Sequence, residues 1–199
     1  MVAGLLFLAF AYLAVGQAAA NRNGAQTAAD AAALAAAQNT RDQLAGAWLK
    51  DVLDPTTWQH VFDGDIPLNP SCWRADRLAA QNDATVLDCR APDPLAYEVD
   101  VRTDKPVGHS VVPGTEDVKS TAHAKAVIEP LCTFELPSVE PSEEPSEEPG
   151  VEPGGGAGDA GEQAVLPQLT CEDRNWTIDP DDPTGLPGPE DLFDVHLAG

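Results

Sequence analysis

Four cysteines set the first limit on the chemistry open to this chain: Cys72, Cys89, Cys132 and Cys171. None belongs to a CxxC pair, and their wide spacing is wrong for a zinc ribbon or a thioredoxin-type redox motif. Behind a translocation signal, an even set of scattered cysteines reads as a pair of disulfides formed in an oxidising compartment. Four cysteines allow three connectivities. The most local scheme joins Cys72 to Cys89 and Cys132 to Cys171; unconnected thiols are the alternative.

The remaining chemistry-bearing residues are dispersed. His60, His109, His123 and His196 stand alone, outside any HExxH pattern. Asp63 and Asp65 in "DGD", and Asp179, Asp181 and Asp182 in "DPDD", offer carboxylates of the kind that bind calcium. Neither group has the ligand count of an EF-hand, and the prolines of "DPDDP" read as a turn. There is no GxSxG, phosphate-cradling glycine loop or Cys-His constellation. The sequence therefore predicts no catalytic residue, no cofactor, no metal and no small-molecule substrate.

Charge narrows the partners. Lys+Arg number 11 against 33 Asp+Glu, a formal net charge of -22. Such a surface repels nucleic-acid phosphates, which argues against DNA or RNA. It suits an exposed, solvated face, cations or a basic partner.

The elements that must position these residues begin with "MVAGLLFLAFAYLAVG", which carries no charge from Val2 to Val15. A spanning helix needs about 20 apolar residues, a length reached only by including Gln17 and Ala18 to Ala20. Residues 1–20 are read as a transmembrane segment. The competing reading is a cleaved signal peptide, with Ala18 and Ala20 near the cut. The first basic residue, Arg22, follows the apolar run instead of preceding it. Met1 is accordingly expected to be an internal methionine, with the true start upstream.

Alanine-rich sequence then continues the helix over 21–54, with no proline before Pro55 and Gly24 as a place where it could break. Ala25, Ala28, Ala29, Ala32 and Ala36 recur at three- and four-residue steps. Such a flat stripe lets helix backbones approach closely, and it is expected to pack against partner helices. Leu34, Leu44, Ala45, Trp48, Leu49 and Val52 form a larger apolar face for a globular domain.

The run "NRNGAQTAADAAALAAAQ" resembles the segment after the membrane helix in TadE/TadG-like proteins of the bacterial Tad (Flp pilus) system. The positions that carry the resemblance are Gln26, Ala28, Ala29, Asp30, Ala31, Ala32, Ala33, Leu34 and Ala35, with Gln26, Asp30 and Leu34 as the family motif. Further on, "VVPGTEDVKSTAHAKAVIEPLC" resembles the outer part of actinobacterial members. The Glu-Tyr type prepilin processing motif is absent. The resemblance implies a single-pass protein of the cell membrane with its bulk extracytoplasmic. It also implies partners among pilin-like or other Tad-system membrane proteins, met through the N-terminal helix.

Residues 55–136 read as a small β-rich domain of short extended pieces. Tyr97, Val99 and Val101 alternate with Glu98, Asp100 and Arg102, and Ala122, Ala124, Ala126 and Ile128 with Thr121, His123, Lys125 and Val127. Pro113-Gly114 marks a turn between them. Residues 137–163, "PSVEPSEEPSEEPGVEPGGGAGDAGEQ", read as a disordered acidic linker or inserted loop. In 164–199, Cys171, Trp176 and a strand at Leu192–Leu197 are expected to return to the sheet.

The predicted fold is α+β: a long membrane-plus-amphipathic helix on a small antiparallel sheet, a pilin-like plan, with the sheet seated on Leu44–Val52. The predicted function is a non-enzymatic, membrane-anchored component of a Tad-type pilus or its assembly machinery. The rival is a secreted acidic binding module released by signal-peptide cleavage.

Overall fold

Sequence rich in alanine and free of proline from Val2 to Lys50 forms one unbroken α-helix, α1, of 49 residues. At a rise of 1.5 Å per residue it is about 73 Å long. It passes Gly16 and Gly24 without a break, because interior glycine costs a helix only about 1 kcal/mol and the alanines around it restore the propensity. The computed structural model describes residues 2–106, 117–136, 166–172, 174–179 and 185–198. His109, the Pro113-Gly114 turn, the acidic stretch at 137–163, Asp181 and Asp182 lie outside them.

The chain does not turn extended after Pro55, as its sequence suggests. Two more helices intervene, α2 (Trp58–Phe62) and α3 (Cys72–Gln81). Both are short and sit among prolines, so the turn signals of Pro55, Pro67 and Pro70 obscure them. In α3 the buried residues are Ala75 and Ala79, one turn apart, and they face α1. Between α2 and the strands, Gly64 takes φ +72°, and a Cβ there would lie 2.8 Å from Pro94 Cβ. Only glycine suits that approach.

The strands are β1 (Ala84–Asp93), β2 (Ala96–Thr103), β3 (Thr121–Pro130), β4 (Cys132–Phe134), β5 (Leu169–Cys171) and β6 (Arg174–Trp176). A short helix, α4 (Pro189–Leu192), then leads into β7 (Phe193–Leu197). The larger sheet is antiparallel in the order β1-β2-β3-β7, and the smaller is β4-β5-β6. Across β2 and β3, Tyr97 pairs with Ala126, Val99 with Ala124 and Val101 with Ala122. The expected alternation therefore places one apolar row inward.

That row does not rest on Leu44–Val52. It lies on the alanine half of α1: Asn21 Nδ2 reaches the Lys105 carbonyl at 3.4 Å, and Thr40 Oγ1 reaches the Tyr97 hydroxyl at 2.8 Å. Alanines lacking bulk let the strands come close to the helix axis. The larger residues farther along meet aromatic partners instead. Trp48 stacks at a tilt on Trp58 with ring centroids 5.5 Å apart. Phe134 lies 5.2 Å from Trp58 and 6.0 Å from Phe62, which in turn lies 5.4 Å from Phe193. Leu49 stays exposed.

Two disulfides close the fold. Cys72–Cys89 ties the start of α3 to β1, and Cys132–Cys171 links directly paired residues of β4 and β5. The most local pairing is thus the one present. Phe134 pairs with Leu169, so the acidic stretch leaves and re-enters the head from neighbouring strands.

Candidate functional site

The features that distinguish this chain converge on α1, which divides into an arm and a seated portion. In the arm, Val2 is 72% exposed, Phe7 74% and Tyr12 81%, with Leu5, Leu6 and Leu8 also in the open. Asn21 is the first described side chain to reach the head, bonding Lys105 and accepting from Thr103 Oγ1 at 3.4 Å. Among the described residues, no helix is long and apolar enough to cross a membrane.

Beyond Asn21 the alanine stripe disappears into the head. Ala25, Ala28, Ala29, Ala32 and Ala36 are each 0% exposed. Their cover is the chain's own β2, β3 and α3; the stripe presents no open surface to a second helix. Of the three residues expected to form the family motif, Gln26 is exposed, while Asp30 and Leu34 are half-buried. Gln26 Nε2 donates to Asp30 Oδ1 at 2.8 Å, one helical turn on, and to the His123 carbonyl on β3 at 3.3 Å. This single amide couples the helix to the sheet.

The next turn of the stripe carries a buried polar cluster. Thr40 and Ser71 are both 0% exposed, and their hydroxyls lie 2.7 Å apart. Thr40 also bonds the Tyr97 hydroxyl, while Gln43 Nε2 reaches Ser71 Oγ at 3.2 Å. Gln43 further accepts from the Asn69 amide at 2.8 Å. The cluster joins α1, the entry to α3 and β2. Sequence reasoning passed over it because Thr40 sits in the polar run "QNTRDQ". Its signal was positional: 36, 40 and 44 continue the buried face.

On the solvent face of the larger sheet, polar groups pair both along and across strands. Arg90 bonds Asp88 and Glu98, His123 Nδ1 lies 3.0 Å from Asp100, and His196 Nδ1 lies 2.7 Å from Asp194. The Asp88 hydrogen bond, followed by that of Glu98, raises the Arg90 pKa above its ordinary value. These contacts are exposed and screened by solvent. His60 Nδ1 lies 3.5 Å from Asp65. Among the described residues, no three His, Cys, Asp or Glu side chains gather as a metal site would require.

Comparison with known families assigns the arm and the stripe together. Residues 1–39 match the family model for TadE/G-like Flp pilus-assembly (Tad) proteins. The N-terminal segment is TadE/G-like. The match covers the apolar arm, Gln26, Asp30, Leu34 and the buried alanines, and it stops one residue before Thr40. It supports involvement in Flp pilus assembly. No curated protein and no solved structure matches the chain. The TadE/G-like segment is continuous with a head of α3, two sheets and two disulfides, all of which lie beyond the matched residues.

Proposed function

We propose that this chain is a structural component of a Tad-type pilus or of its assembly machinery, anchored at the cell membrane with its acidic head outside. The observation that carries the reading is the exposed apolar arm within the TadE/G-like segment. Residues 2–20 would extend about 28 Å as a helix, close to the ~30 Å of a bilayer's hydrocarbon. With Gln17 inside it the arm is a marginal anchor by itself, so it sits among other pilin-like helices of the Tad system. Gly4 and Gly16 suit close packing there. The head contributes folded bulk, and its paired charges serve its surface, with no catalytic role.

The test is fractionation of cells that make the protein. Wild type should stay with membranes through alkaline extraction. A Leu5→Asp/Phe7→Asp variant should be released with its head folded and should fail to support pilus assembly. The reading is overturned if wild type is recovered from the medium with an N terminus near Asn21. That result would establish the rival, a secreted acidic binding module. One observation favours the rival: a cut before Asn21 would spare every described side-chain hydrogen bond between α1 and the head.

A further inference from the structure

The exposed face of α3 differs from the rest of this acidic surface. Trp73 is 53% exposed, and the Arg74 guanidinium carbon lies 5.2 Å from the centre of its ring. Arg77, also exposed, is one turn beyond Trp73 and on the same side of the helix. Arg41, Arg90, Lys105, Lys125 and Arg174 all have carboxylate partners. Among the described residues, Arg74 and Arg77 have none, as is also true of Arg22, Lys50, Arg102 and Lys119, but only these two stand beside an exposed indole. Arg74 Nε is buried without an acceptor. The opposite face of α3 is held to α1 through Ala75 and Ala79, and Cys72–Cys89 fixes its first turn to β1. The patch is thus set in place before any partner arrives.

An exposed indole flanked by two guanidinium groups fits a peptide that alternates prolines with carboxylates. Proline rings pack on aromatic faces, and Arg takes carboxylates in bidentate fashion. Such a peptide is present in this chain: "PSVEPSEEPSEEP", Pro137 to Pro149, with no Lys or Arg. We propose that the Trp73–Arg74–Arg77 patch binds this Pro-Ser-Glu-Glu segment of a neighbouring copy. A neighbour is favoured by where the two parts are attached. The segment departs from β4 and returns at β5, beside the β7 edge, where the Leu131 amide bonds the Leu192 carbonyl at 2.9 Å. α3 is tied to β1, the opposite edge of the larger sheet. Each copy therefore attaches the segment beside one edge and carries the receptor at the other. That head-to-tail contact can repeat from copy to copy.

The test follows the Trp73 indole N–H resonance in the full-length, detergent-solubilised chain across a dilution series. The expected result is a saturable shift with concentration. It should be weakened at least tenfold by Glu143→Gln/Glu144→Gln/Glu147→Gln/Glu148→Gln, and likewise by Arg74→Glu/Arg77→Glu. Mixing the two variants should restore the shift on the Gln variant, whose patch is intact. A Trp73 resonance indifferent to both dilution and the Gln substitutions overturns the proposal. So does a shift that the Gln variant loses but dilution leaves unchanged, because the segment would then dock on its own head. Neither outcome depends on where the arm resides.

Discussion

Gln26 and His123, 97 residues apart, are joined by a hydrogen bond from the side-chain amide of one to the backbone carbonyl of the other. The same amide holds Asp30, so a residue within the TadE/G-like segment acts as a clamp between α1 and β3. Gln26→Ala should lower the stability of the head by about 0.5–1.5 kcal/mol, the ordinary net worth of such a bond. Urea unfolding with an unchanged m-value would show it. Asp30→Asn keeps an acceptor and should cost less.

Thr40 predicts a larger effect. Thr40→Val preserves shape but strips a hydroxyl that bonds Ser71 and Tyr97. Leaving buried polar groups without partners costs about 1–3 kcal/mol, and the urea midpoint should fall accordingly. Thr40→Ser should recover most of the loss.

Ala32→Leu should destabilise the isolated head by about 1–3 kcal/mol through overpacking, because the site is 0% exposed beneath the chain's own strands. Leu5→Asp should leave head stability unchanged. The pair separates two roles that one helix combines: denaturation reads the stripe, and fractionation reads the arm. Leucine scanning of Ala28 and Ala29 would likewise report on the head's own packing.

Removing Cys132–Cys171 as a double Ser variant should cost about 3–4 kcal/mol by loop-entropy reasoning, given its separation of 39 residues. Hydrogen exchange should rise first in β5 and β6, the short strands of the smaller sheet that this disulfide ties to β4. β1 and β2, joined along most of their length, should keep their protection.

Much of this fold was readable from local pattern. Alternation marked β2 and β3, because a half-buried strand imposes a period of two. The TadE/G-like segment was readable because its residue order is specific. α2 and α3 were hidden by short length and flanking prolines. The partner of the alanine stripe was not readable either: small residues announce a close approach without saying whether a helix or a sheet makes it. Thr40 and Trp73 escaped for a related reason. A lone polar residue on a buried face, or a lone aromatic on an exposed one, acquires meaning only from neighbours that the fold brings in.

The continuity of α1 makes the molecule a crankshaft. No proline or break separates Phe7 from Gln26, so whatever fixes the azimuth of the arm also fixes the compass direction in which Trp73 and β7 look. Each residue turns the helix by about 100° and lifts it by 1.5 Å. One residue inserted between Gly16 and Asn21 would leave the head folded yet swing it about a quarter turn. The spacing between arm and clamp thereby acts as an angular setting.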